Sequence, residues 1–234
     1  MFYWVMKHLI AGPVLKTLLR PRVHGRAHIP RTGPVIVASN HLSFIDPVIL
    51  PLVMRRRIAF LAASNYFAGR GVAAWVRGRF LRATGMIPID RSGGKASQAS
   101  LVAGRAVLDR GAVLGIYPEG SRSRDGKLHR GRTGVARLAL ESGAVVVPAA
   151  MIGTDQVIPV GSRSILPRIR RIAITFGPPL DFSAEAGNQG DLAVLRTVTD
   201  RIMEAIREVS GQEYVDSYSS GRSGRADPAG TAVE

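Results

Sequence analysis

Short aliphatic runs alternate with longer stretches of helical period along most of this chain. VIVAS (35–39), IAFLAA (58–63), MIPI (86–89), AVLGIY (112–117), AVVVPAAM (144–151) and RIAITF (171–176) have the length and composition of buried strands. Helical spacing fills the gaps. Residues 95–110 carry Val102, Ala106 and Leu108 and stop before Gly111, while residues 132–142 put Val135, Leu138, Ala139 and Ser142 on one face before Gly143. A last helix over 191–209 spaces Leu192, Leu195, Val198, Ile202, Ile206 and Val209 at three and four. The alternation predicts an α/β fold, a single domain over 23–210 with a mainly parallel central sheet flanked by helices. From Gly211 the chain turns to Ser, Gly, Asp and Pro, which predicts a disordered tail over 211–234.

The N-terminus reads differently. Residues 2–19 are largely apolar, but Lys7, His8, Pro13 and Lys16 interrupt them, and a bilayer span needs about 20 clean apolar residues. A secretory signal is disfavoured too, since no basic residue precedes the stretch and Arg20, Arg22 and Arg26 follow it. Phe2 and Trp4 with flanking cations fit an amphipathic helix over 1–22 that associates with the membrane interface; the competing reading is an ordinary helix packed on the core.

Composition sharpens this. With 234 residues, 46% of them apolar, the chain can bury a full core, and the absence of cysteine removes thiol nucleophiles, thiolate metal sites and disulfides. The formal charge of +15 is uneven: residues 1–180 hold 27 basic and 7 acidic groups, and residues 181–234 hold 5 and 10. A basic block of that size attracts phosphate, whether of nucleic acid, anionic lipid or a small molecule. Nucleic acid is the weakest of these, because the cations gather at strand ends rather than on a recognition helix and aromatics are only 6%.

Three blocks carry candidate chemistry, each after a predicted strand. The first is Asn40-His41-Leu42-Ser43-Phe44-Ile45-Asp46. Asp46-Pro47 suits a helix start, with Asp46 as N-cap and proline first in the helix, and a chain that turns back there brings the Asp46 carboxylate to the His41 ring. Such a pair leaves the second ring nitrogen to take a proton from an alcohol; the bland alternative is a helix cap beside a surface imidazole. The second block is Gly85 to Arg91 (GMIPIDR) and the third Tyr117 to Ser123 (YPEGSRS), each delivering an arginine to a strand end, where open α/β sheets place ligands. From Arg122 to Arg137 there are six cations and one acid, Asp125, with glycines at 126, 131 and 134 and a helix starting near Thr133. That is an anion site or a solvated charged loop.

NHLSFID, GMIPIDR and YPEGSRS, in this order and followed by VVPAAM, resemble the glycerolipid acyltransferase family that includes 1-acyl-glycerol-3-phosphate acyltransferases, over about residues 24–180. The resemblance implies transfer of a fatty acyl group from a thioester, acyl-CoA or acyl carrier protein, to the free hydroxyl of 1-acyl-glycerol-3-phosphate, giving phosphatidic acid. The same chemistry on another lysophospholipid or a glycolipid acceptor is the alternative. It makes His41 the general base, Asp46 its orienting partner, Arg91, Glu119, Gly120, Ser121 and Arg122 the acceptor-binding residues, and Val147 and Pro148 part of the acyl site. It calls for no metal and no cofactor beyond the donor thioester, and for a peripheral or monotopic place on the cytoplasmic side of the cell membrane, against its anionic lipid.

Departures from the family are few. Ser121 stands where threonine is usual, and Ala63-Ser64-Asn65-Tyr66 stands where many members show Lys-x-Glu-Leu. Ser43 lies inside the His-Asp loop without a GxSxG elbow around it, so direct attack by the acceptor hydroxyl is the simpler route. His8, His24, His28 and His129 match no family position and are expected at the surface.

Overall fold

The computed structural model describes residues 11–89, 96–157 and 169–219. Its main sheet has seven strands: β1 (Arg22–His24), β2 (Val35–Ser39), β3 (Ile58–Ala63), β4 (Met86–Ile89), β5 (Val113–Ile116), β7 (Val145–Ile152) and β8 (Ala173–Phe176). The spatial order is β1-β8-β7-β2-β5-β3-β4, and every neighbouring pair is parallel except β7 with β8. β2 is central, with Val37 in register with Gly115 on one side and Val147 on the other. Its five residues are all buried, as expected of a continuous apolar run in a parallel sheet covered on both faces.

Alternate side chains feed two cores. Val35, Val37, Ile58, Phe60, Val113 and Val147 point to the face covered by α2 (Asp46–Val53), where Ile49, Leu50 and Val53 pack. Ile36, Ala38, Leu114 and Val146 point to the other, under α4 (Ala96–Leu108), α5 (Gly134–Ser142) and α7 (Leu192–Ser210). Helix α1 (Ala11–Leu19) buries Leu19 in the first core, α3 (Val72–Ala83) links β3 to β4, and a short turn of helix, α6 (Thr154–Val157), follows β7.

All six predicted strands are present, shifted at most two residues at their ends. α4 turns inward on Leu101, Gly104, Val107 and Leu108, not on Val102 and Ala106, which are exposed. The reason is Gly104, whose position for a Cβ lies 3.0 Å from Leu138 and 3.2 Å from Leu114: the helix closes on its neighbours through the glycine, and that selects the face. The predicted N-terminal helix falls on residues 1–10, outside those described, and on α1; the chain then leaves the helix and enters edge strand β1 at Arg22.

The expected tail needs correction over 211–219. These residues form β9 (Tyr214–Val215), which pairs parallel with β6 (Leu128–His129) in a second, two-stranded sheet. The Leu128 N–H donates to Glu213 O at 2.9 Å and the Arg130 N–H to Ser217 O at 3.0 Å. Residues 220–234 lie outside those described.

Candidate active site

β2 and β5 run side by side, so the loops at their C-terminal ends meet over the sheet, beside the point where the strand order turns from β5 to β7. The first block occupies one loop and the third the other. Asp46 is fully buried as the first residue of α2, with Ile45, not Asp46, in the N-cap position. Its carboxylate turns back out of the helix instead. Oδ2 accepts from the Leu42 N–H and the Ser43 N–H, each at 2.8 Å, and lies 2.9 Å from His41 Nδ1. An oxygen that accepts two backbone N–H groups is an acceptor toward the ring as well, so Nδ1 carries the proton and Nε2 keeps its lone pair.

The third block holds the backbone of His41 from both sides. The His41 N–H donates to Glu119 Oε1 at 3.4 Å, and His41 O accepts from the Ser123 N–H at 2.8 Å. The imidazole lies on the Tyr117 ring, and Tyr117 is stacked on Phe60 of β3 with centroids 5.5 Å apart. Phe60 has that place because residue 115 is glycine: a Cβ there would fall 2.2 Å from the Phe60 ring. Burial, with the Asp46 charge adding to it, pushes the Tyr117 phenol well above its ordinary pKa, so it stays neutral.

Glu119 is placed behind the loop. It is 1% exposed, and its second oxygen accepts from the His129 N–H at 3.0 Å. Burial raises its pKa to about 7 against the opposing effect of these two N–H donors. A carboxylate so enclosed ties the first block to β6 through the His41 and His129 N–H groups. His129, expected at the surface, is corrected: its ring is largely buried, with Nε2 3.1 Å from Asp125. Burial opposes ionisation of Asp125, but hydrogen bonds from His129, the Lys127 N–H and Ser123 outweigh it and hold that carboxyl at about 2. His28 is half-buried and bonded to Phe176 O, while His24 is exposed as expected.

Gly120 turns the third block with φ 78°, a left-handed conformation in which a side chain would also meet Arg132 Nε at 3.0 Å. Ser121 Oγ donates to Ser219 Oγ at 3.1 Å. Lys127 is paired with Glu213 at 2.7 Å and Arg130 with Asp216 at 3.6 Å. Among the described residues Arg122 and Arg132 have no ion-pair partner, and Arg132 passes over Gly120 with its guanidinium 5.1 Å from the Tyr218 ring. Arg124 and Arg137 likewise lack an ion pair among the described residues, so four of the six cations of the cluster stay available to an anion. Gly131 serves packing rather than an anion, since a Cβ there would lie 2.7 Å from Met203 of α7. Arg91 lies outside the described residues. Val147 and Pro148 sit buried in β7 beside β2.

Asn40, Tyr117 and Gln212 complete the arrangement and were not singled out from the sequence as site residues. Asn40 Nδ2 donates to Met151 O at 3.0 Å and to Gln212 Oε1 at 2.6 Å, its Oδ1 accepts from the Met151 N–H at 2.7 Å, and Gln212 Nε2 donates to Gly126 O at 2.6 Å. The first block, β7 and the third block's loop are thereby joined through two amides, the buried Asn40 and Gln212. Asn40 was visible as a polar residue ending an apolar strand; Gln212 was hidden in tail-like composition.

A family model described as Acyltransferase matches residues 20–152, more than half of the chain, and that span contains both loops. The chain belongs to the acyltransferase family. Among curated relatives of this family, a chloroplastic 1-acyl-sn-glycerol-3-phosphate acyltransferase of Arabidopsis thaliana is 27% identical over 166 residues, 70% of this chain and 45% of that one. One from Bacillus subtilis is 25% identical over 188 residues, 78% of this chain and 86% of that one. This acyltransferase-family chain thus spans less than half the length of the chloroplastic relative and most of the length of the bacterial one. The crystal structure of the 1-acyl-sn-glycerophosphate acyltransferase of Thermotoga maritima shares the fold, with a TM-score of 0.59 at 23% identity, covering 89% of this chain and 86% of that one.

Proposed function

We propose that this acyltransferase-family protein moves a fatty acyl group from a thioester to the free hydroxyl of 1-acyl-glycerol-3-phosphate, giving phosphatidic acid for phospholipid synthesis. The observation that carries the reading is the His41 ring, fixed by Asp46 at Nδ1, in a loop whose His41 O accepts from the Ser123 N–H, the residue after Arg122. His41 Nε2 takes the proton of the acceptor hydroxyl as that oxygen attacks the thioester carbonyl; the C–S bond breaks, and the thiolate leaves with the proton the imidazolium returns. Asp46 keeps the tautomer and stabilises the imidazolium. Arg122, with Arg132 and Arg91, holds the acceptor phosphate by charge-assisted hydrogen bonds. Acyl-CoA and acyl carrier protein both fit as donors.

The names of the relatives support this acceptor. The apolar N-terminal segment that ends at Leu19, with the cations around it, associates with the membrane interface and keeps the site at its cytoplasmic face, where acceptor and product reside; no described helix is long and apolar enough to cross a bilayer. Purified protein given labelled acyl-CoA, and separately acyl carrier protein, with a panel of lysolipids is the test. His41→Ala should lower turnover by about 10² to 10⁴ without unfolding the protein, and Arg122→Ala should raise the acceptor KM more than the donor KM. Near-normal turnover by a folded His41→Ala protein would overturn the reading.

A further inference from the structure

Helix α3 is apolar on two sides. Ala74, Gly78 and Leu81 face inward and are buried, which accounts for its packing. Val72, Trp75 and Val76 form a second stripe that stands in solvent, 78%, 66% and 52% exposed. Their spacing of three and four, continued by Arg79 one turn on, marks a single outer face of the helix. The Arg79 guanidinium lies over the Trp75 ring at 5.8 Å.

The stripe begins at the end of the sheet that holds His41. β3 delivers the chain to that end at Ala63, and the 3₁₀ turn Ser64–Tyr66 follows. Arg77 ties this turn to α3, donating from Nε to Tyr66 O at 3.0 Å and from Nη2 to Ala68 O at 2.6 Å. Tyr66 in turn meets Phe44, three residues after His41, with ring centroids 5.8 Å apart, and both rings are more than 40% exposed. Large exposed apolar groups therefore lead from the His41 loop to the outer face of α3.

Charge identifies what covers it. Between Pro47 and Ile89 there are seven arginines and no acid, three of the arginines on α3 itself. Arg55, Arg56 and Arg57 are excluded from this surface, since they lead into β3 at the opposite end of the sheet, where Arg56 donates to the Pro30, Thr32, Gly33 and Gly111 carbonyls; Arg70 and the three arginines of α3 remain. A second copy of the chain would bring a like-charged surface against this one. An anionic headgroup layer over acyl chains satisfies both the cations and the apolar stripe, and tryptophan suits that boundary.

We propose that the outer face of α3, with Phe44 and Tyr66, docks on an anionic lipid bilayer and turns the mouth of the His41 site toward it. The inference rests on this surface, independently of the acyl-transfer reading and of the N-terminal helix. Trp4 and Trp75 are the two tryptophans of the chain, so Trp4→Phe in the full-length protein leaves Trp75 as the reporter. Its emission should shift to the blue with vesicles of phosphatidylcholine and phosphatidylglycerol, be quenched by brominated acyl chains, and change little with phosphatidylcholine alone. Val72→Glu/Val76→Glu, both on exposed side chains, should weaken partition by about tenfold or more with an unchanged thermal melt. A Trp75 that keeps its solvent emission in vesicle-bound protein overturns the proposal and leaves the face to a protein partner. A shift that needs only high protein concentration overturns it in favour of a second copy. His41→Ala leaves these readouts untouched, so docking and acyl transfer fail separately.

Discussion

His41 lies flat on Tyr117, the ring centroids 4.0 Å apart and the planes 13° from parallel. Asp46 holds the imidazole at one edge and Tyr117 supports its face, so the ring is fixed both in and out of its plane. The Tyr117 hydroxyl is buried and bonded to nothing among the described residues. The ring, not the hydroxyl, is what the site uses. Tyr117→Phe should keep turnover near normal and raise stability by up to about 1 kcal/mol, because an unpaired buried hydroxyl is removed. Tyr117→Ala should lower kcat by roughly 10- to 100-fold by loosening the base. Steady-state kinetics with thermal melts of both variants separate the two contributions.

Asp46→Asn preserves shape and removes charge. The amide oxygen can replace Oδ2 toward Leu42, Ser43 and His41, while the NH₂ takes the place of Oδ1, which has no partner among the described residues. Turnover should fall by roughly 10² or more, yet by less than in His41→Ala, since the imidazolium loses its counter-charge but the base remains. The melting curve should move little. A large loss of stability with normal turnover would make Asp46 a structural residue.

The parts of this molecule that were legible in the sequence are those set by burial or by local spacing. β2, β3 and β4 coincide with their apolar runs because a strand covered on both faces leaves a continuous signal. The His41 and Asp46 pair was legible because five residues and a helix start bring them together without help from elsewhere. What failed depends on distant contacts. The face of α4 follows from a glycine that meets Leu138, and β9 from backbone pairing with a strand 86 residues earlier, between Leu128 and Tyr214, that composition does not record. The burial of Glu119 likewise comes from β6, which no periodicity announces.

Residues 211–219 lie outside the span matched by the family model, yet they close over its third block. Gln212→Ala removes the bridge from Asn40 to Gly126, leaving Asn40 its two bonds to Met151. The expected loss is about 1 to 2 kcal/mol of stability, read as a lower melting temperature. Truncation after residue 210 also removes Tyr218 from Arg130 and Arg132, and Glu213 and Asp216 from Lys127 and Arg130. Acceptor KM should rise by more than donor KM. Equal effects on both would assign the segment to stability alone.

The buried Glu119 makes stability depend on pH in a stated direction. Its pKa is raised from 4.5 to about 7, with burial the main cause, so between these values the folded protein binds a proton that the unfolded chain has released. Stability from this group is therefore complete below pH 4.5 and is lost as pH rises through about 7, by roughly 3 kcal/mol at about 1.4 kcal/mol per unit. Glu119→Gln removes the titration but not the burial. It also gives up one acceptor, because an amide can take only one of the His41 and His129 N–H groups on oxygen and turns its NH₂ toward the other. At acidic pH the variant should thus be less stable than the wild type, and the gap should narrow or reverse as pH rises from 4.5 to about 7 and stay level above that. Thermal melts of both proteins across that range read the two slopes directly. Parallel slopes would mean that Glu119 titrates as an ordinary carboxylate, with water reaching it in the folded state.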